Sequence, residues 1–378
     1  MTKYIDTKNA LDHSKQSKRL IFIDLMRAYA ILMMVQGHTV DTVLDPVYRV
    51  DSNILYYIWN MFRGMTAPVF FFSSGAIFSY LLLRKDLPFW KNERVIKGFK
   101  RVGLLLFTAY LMRFNPRIIT HLDSFDIFNY QASFAVDALH CISMGLLSLI
   151  LLYGLYRWIK IPVWITYPMF AIFLFMFYPT AVHTNWLNFL PLPLANYFTA
   201  TYGSNFPIFP WLGFVLWGGF YGFILSKSAN IAYNNKFSIF TLSLGVLLSA
   251  GSGIILGHIY NITGIEDFNY LQHHNFQFFH LGNVLIISGL LSIISSYVSI
   301  PEFISNTGKK TMMIYIVHIF IIYGTGINPG FRRFLSGQLD PINTIILAIV
   351  MVVFFVVLAQ YSERIGDIVL FRKKKAKL

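Results

Sequence analysis

LIFIDLMRAYAILMMVQGHTV, residues 20–40, is the stretch that decides the fold. About twenty consecutive apolar residues are what a helix needs to cross the hydrocarbon core of a bilayer. Windows of this kind recur along the whole chain. Within this first one sit Arg27 and His38. Ionisable side chains are costly in hydrocarbon, so each starts as a functional-site hypothesis. They are eleven residues apart, which is about 16 Å of helix at the usual rise. One therefore lies toward each side of the bilayer, an arrangement suited to taking a group from one face and delivering it to the other.

The composition agrees with a membrane chain. Of 378 residues, 56% are hydrophobic and 13% charged, and the mean hydropathy is +0.57. A soluble domain of this size is less apolar and more charged. The expected fold is all-α, a polytopic helical bundle of about ten spans. They fall near 20–42, 64–83, 99–118, 134–156, 162–180, 207–226, 237–258, 279–299, 311–327 and 341–362. No internal repeat of the kind found in many transporters is evident.

The net charge of +14 reads as topology rather than nucleic-acid binding. Basic residues concentrate in alternate segments: Arg84 to Arg101, Arg157 with Lys160, Lys227 with Lys236, Lys309 with Lys310, and the tail from Arg364 to Lys377. This positive-inside pattern puts both termini in the cytoplasm. Residues 1–19 are polar and basic, and the apolar stretch after them is too long for a signal peptide. The expected organisation is a cytoplasmic tail over 1–19, a membrane domain over 20–363 and a basic cytoplasmic tail over 364–378. The single cysteine, Cys141, excludes an internal disulfide and a thiolate metal cluster.

Several constellations could carry chemistry. Asp24 and Arg27 are three apart, so they share a helix face and can pair. Arg27 either snorkels to headgroups or shapes a pocket opening to the cytosol. Asp41 follows His38 at the same spacing and could hold the imidazole in one tautomer. A histidine with a carboxylate is what a base needs to take a proton from a hydroxyl or amine; an interfacial histidine is the plainer reading. Arg63, before the second span, is placed to hold an acceptor at the outer mouth. Asp137 and His140 repeat the three-residue spacing and either extend a proton relay or satisfy each other. His318 lies inside the ninth span and falls under the same intramembrane rule. Arg94, Lys97 and Arg101 lie at helical spacing and could line one face for phosphates, or simply contact anionic lipid.

The outer segments differ from the inner ones. Residues 183–211 are nearly uncharged and aromatic-rich, reading as a stacking surface for sugars or an interfacial belt. Residues 258–280 carry His258, His273, His274 and His280, without a zinc spacing. No metal is expected. Gly218 and Gly222 form a small-xxx-small pair, which reads as helix packing.

The opening helix, Phe22-Ile23-Asp24-Leu25-Met26-Arg27 through Val35-Gln36-Gly37-His38, resembles that of the transmembrane acyltransferase superfamily. Three further stretches resemble the bacterial relatives of heparan-α-glucosaminide N-acetyltransferase: Thr66-Ala67-Pro68-Val69-Phe70-Phe71-Phe72, Phe209-Pro210-Trp211-Leu212-Gly213, and Gly308-Lys309-Lys310-Thr311 through Tyr315-Ile316-Val317-His318. The resemblance implies acetyl-CoA entering from the cytosol as acyl donor. It implies a saccharide or glycan hydroxyl or amine as acceptor from the other side. By that analogy His38 is the catalytic histidine and Arg27 belongs to the donor pocket. The expectation is a membrane-bound O- or N-acetyltransferase of a bacterial cytoplasmic membrane, with a homodimer as one possible assembly. The alternative is a proton-coupled transporter or flippase of a sugar or lipid-linked sugar.

Overall fold

The computed structural model describes residues 20–120, 126–325 and 328–369. Residues 1–19 and 370–378, which hold the N-terminal tail and most of the basic C-terminal tail, lie outside the described residues. The principal helices are α1 (Ile21–Val43), α2 (Ile54–Gly64), α3 (Thr66–Leu83), α4 (Glu93–Arg113), α5 (Ala138–Ile159), α6 (Val163–Met176), α7 (Ile208–Lys227), α8 (Asn235–Thr263), α9 (Glu266–His273), α10 (Phe276–Tyr297), α11 (Glu302–Lys309), α12 (Thr311–Ile322) and α13 (Pro341–Val369). Among the described residues, six helical stretches are long and apolar enough to cross a membrane: Ile54–Leu83, Ala138–Ile159, Ile208–Lys227, Asn235–Thr263, Phe276–Tyr297 and Pro341–Ser362. The protein is an all-α, multi-pass membrane protein.

The remaining expected spans also coincide with helices, each with a reason for falling short of that measure. α6 and α12 are apolar but brief. α1 carries Asp24, Arg27 and Asp41, and α4 carries six charged residues, Glu93, Arg94, Lys97, Lys100, Arg101 and Arg113. Where boundaries differ from expectation, capping and turn chemistry account for it. α4 starts at Glu93 because the Asn92 side chain accepts from the Arg94 N–H. α5 starts at Ala138 because Asp137 caps it. α12 stops at Ile322, ahead of Gly324, which sits at φ 73° where side-chain-bearing residues are strained. α13 runs on to Val369, past the expected domain boundary at 363.

α1 is the central post: α3, α10, α11, α12 and α13 all pack on it. α3 in turn packs most extensively on α7. At that contact a Cβ on Gly218 would run into the Phe72 carbonyl, and one on Gly222 into the Ala76 carbonyl. The small pair thus lets two backbones touch, as helix association in lipid favours. The Phe22, Phe71, Phe72 and Phe214 side chains fill the interior around it.

α2 was not expected from the sequence. Its first turn is held by the Asn53 side chain, which accepts from Leu55 and Tyr56 N–H. One face leaves Ile54, Leu55, Ile58 and Phe62 exposed. The other is fastened to α1: Trp59 Nε1 donates to Gln36 Oε1 at 2.9 Å, and the Tyr29 hydroxyl to the Phe62 carbonyl at 3.2 Å. This docking is what carries Arg63 to α1.

Candidate active site

Two cavities open at opposite ends of α1. The first, about 280 Å³, is lined by Arg27 from α1, by Ser74, Phe78 and Leu81 from α3, and by Arg94, Lys97 and Arg101 from α4. Four expected cofactor-pocket cations therefore come together. Arg27 is anchored by one donation from Nη2 to Thr311 Oγ1 at 2.8 Å. Its Nε is enclosed and has no hydrogen-bond partner among the described residues. Asp24, one turn earlier and buried, supplies an attractive charge, and Arg101 a repulsive one. Gly308 is pressed onto the Asp24 carbonyl, where a Cβ would not fit, and so α11 seals this end. Lys97 differs from its neighbours: its Nζ reaches Glu93 Oε2 at 2.8 Å across an exposed turn. That bond holds the Glu93 carboxyl below its usual range.

The second cavity, about 690 Å³, is lined by His38, Asp41, Arg63, Arg113, Asp137, Tyr315, Tyr323 and Arg332 among others. Its central feature is a pair of imidazoles. His38 Nδ1 lies 3.1 Å from His318 Nε2, and His318 Nδ1 lies 2.9 Å from the Ile314 carbonyl. A carbonyl only accepts, so His318 Nδ1 carries the hydrogen. With both rings neutral, His318 Nε2 is then an acceptor and His38 Nδ1 its donor. The His38 ring is left with its lone pair on Nε2, the tautomer a proton acceptor needs.

Asp41 does not hold the His38 ring as expected. Its carboxylate is ion-paired with Arg63, and the orienting partner of His38 is His318. The sequence spacing suggested Asp41 because it is the nearest acid on the helix; the true neighbour comes from α12. Asp137 and His140 meet in a capping box, His140 Nδ1 lying 3.1 Å from Asp137 Oδ1 and 3.2 Å from its backbone N, while His140 Nε2 is buried without a hydrogen-bond partner among the described residues. Arg113 Nε also reaches Asp137 Oδ2 at 3.2 Å. Asp137 thus forms cavity wall, while His140 is fully buried behind it.

Of the aromatic-rich stretch 183–211, Asn205 and Phe206 line this cavity. Trp186 stacks on Phe198 and Trp211 packs on Phe206 and Phe276, so these rings mainly pack on one another. His273 and His274 bond to carbonyls of their own helix and line a separate surface pocket with His183, Glu266 and Tyr270. Sequence reasoning missed Thr311, Tyr315 and Tyr323 as site residues. The signal available was the i, i+4, i+7 spacing of Thr311, Tyr315 and His318, which puts them on one helix face.

Residues 19–255 match the family model described as heparan-alpha-glucosaminide N-acetyltransferase, catalytic. The chain belongs to this family. Family membership makes it a membrane acetyltransferase-type enzyme. The matched region of this acetyltransferase includes α1 with Arg27 and His38, all of α3 and α4, and Asp137; α12 lies beyond it. No curated protein matches the chain, and no solved structure matches it.

Proposed function

We propose that this acetyltransferase takes an acetyl group from cytosolic acetyl-CoA and passes it to a hydroxyl or amine of an extracytoplasmic saccharide. The observation that carries the reading is the pairing of two unlike cavities on one helix. Convergent cations at the Arg27 end suit the phosphates of coenzyme A. An oriented imidazole at the other end suits proton removal from an acceptor. The positive-inside bias supports a cytoplasmic donor cavity, in a bacterial cytoplasmic membrane with both termini inside. The membrane domain is then 20–363 extended to Val369, flanked by the two tails.

In this reading His38 Nε2 accepts the proton as the acceptor attacks the thioester carbonyl, and returns it to the departing thiolate. His318 positions the ring and fixes its tautomer. The Asp41–Arg63 and Asp137–Arg113 pairs form polar walls for the acceptor, with Arg332 beside them. The name of the matched family and the polar lining support a saccharide as acceptor.

The test is His38→Ala in purified protein. Acetyl transfer to the acceptor should be abolished while acetyl-CoA still binds with near-normal affinity. Full activity in that variant refutes the assignment. Failure of the parent protein both to bind and to consume acetyl-CoA, with sugar transport instead, establishes the transporter alternative.

A further inference from the structure

An acyl transfer needs more than a base. As the nucleophile adds to the thioester carbonyl, the C=O electron pair moves onto oxygen, and that charge must be met by a placed donor. Two of the three cations lining the cavity are committed, Arg63 to Asp41 and Arg113 to Asp137. Tyr315 is not. It is 4% exposed and lines the His38 cavity. Its ring stacks on Phe70, centroids 6.5 Å apart and planes within 6°, and meets the His318 ring edge-on at 5.4 Å. These contacts fix the ring, yet the hydroxyl makes no hydrogen bond among the described residues. A hydroxyl on a fixed ring that faces the cavity without a protein acceptor has its hydrogen available for a ligand bound there.

We propose that the Tyr315 hydroxyl is the oxyanion donor of the acetyl transfer, hydrogen-bonding the thioester oxygen while His38 takes the acceptor proton. This rests on the reading of His38 as base. The new bond joins the acceptor oxygen or nitrogen to the acetyl carbon. The carbonyl pair shifts to the oxygen that Tyr315 faces. On collapse the C–S bond breaks and the thiolate leaves with the proton from His38. α12 then serves both halves of the step, since Tyr315 and His318 are three residues apart on it.

The experiment compares wild type, Tyr315→Phe and His38→Ala as full chains in lipid nanodiscs, with acetyl-CoA as donor and glucosamine as probe acceptor. Readouts are thiol release and acetyl-CoA affinity. Phenylalanine keeps the ring stacked on Phe70, so packing is retained and only the O–H is lost. The expected result is a kcat about 10²- to 10³-fold lower, with KM and affinity for acetyl-CoA within twofold of wild type. Tyr315→Phe with kcat within threefold of wild type, while His38→Ala is inactive, overturns the donor role alone. So does a loss of rate matched by an equal loss of acetyl-CoA affinity. Equal thiol release by wild type and His38→Ala overturns the underlying reading and this assignment with it. Should Tyr315→Phe not fold, 3-fluorotyrosine at 315 carries the test: a stronger O–H donor raises kcat, and an unchanged kcat overturns the proposal.

Discussion

At the scale of single residues, the site depends on a hydrogen that the His318 ring does not give to His38. Because His318 Nδ1 donates to the Ile314 carbonyl, its Nε2 can only accept, and His38 is held in the tautomer with Nε2 free. Replacing His318 by Phe keeps a ring of similar size and removes the acceptor. The expected outcome is a kcat reduced on the order of 10- to 100-fold with acetyl-CoA affinity unchanged, as when the residue orienting a functional histidine is lost; steady-state kinetics beside a binding titration check it. A kcat equal to that of the parent would show that His38 needs no positioning partner. Arg27 and His38 stand out in the sequence because an ionisable group in an apolar window is costly, although snorkelling and an interfacial position are the plainer readings of each. The partner of His38 does not, because it lies 280 residues away and no local spacing announces it. Asp41 was the nearest carboxylate in the sequence, and Arg63, brought in by α2, binds it instead.

At the scale of elements, α4 shows why three basic residues at helical spacing need not act alike. Arg94 and Arg101 line the Arg27 cavity, as does Lys97, but Lys97 is partly neutralised by Glu93 one turn before it. A charged hydrogen bond to a phosphate is worth roughly 1.5–3 kcal/mol, or about 10- to 100-fold in affinity. Arg94→Gln and Arg101→Gln should each raise the KM for acetyl-CoA by about that factor, with kcat at saturation little changed. Lys97→Gln should raise it only a few-fold, because an exposed ion pair with Glu93 is weak and shared. Acetyl-CoA titrations of the three variants check this ranking, and equal effects of all three would remove the distinction. The long apolar helices were readable from window length alone. α2 was not, because eleven residues with one greasy face look like loop between Pro46 and Pro68. Only its Asn53 cap and its fastening to Gln36 and Tyr29 make it a helix against α1.

At the scale of the whole molecule, the two cavities belong to one helix and face opposite ends of it, so the reaction they support has a direction. α1 spans Ile21–Val43, and Arg27 and His38 stand about 16 Å apart along it. A donor held by its phosphates at the Arg27 end must therefore send its acyl group through the bundle toward His38. In the proposed topology, which the positive-inside pattern supports, the Arg27 end faces the cytosol. Sealed inside-out vesicles carrying the protein, loaded with glucosamine, present that end to the medium. Acetyl-CoA added outside should acetylate the enclosed sugar without itself entering. Acetyl-CoA enclosed with the sugar in the same vesicles should leave it unmodified, since the donor would then meet the His38 end alone. The orientation can be fixed independently by cysteine labelling, because Cys141 is the chain's one cysteine and is buried. A cysteine placed at Lys97 should react with an impermeant maleimide from the cytosolic side, and one at Arg332 from the opposite side. Labelling of both from one side would put the two cavities on the same face, and acetylation that required donor and acceptor in one compartment would do the same from the chemistry. Either result would leave α1 as a packed core helix with two unrelated charges, and the separation of Arg27 from His38 would then have no catalytic meaning.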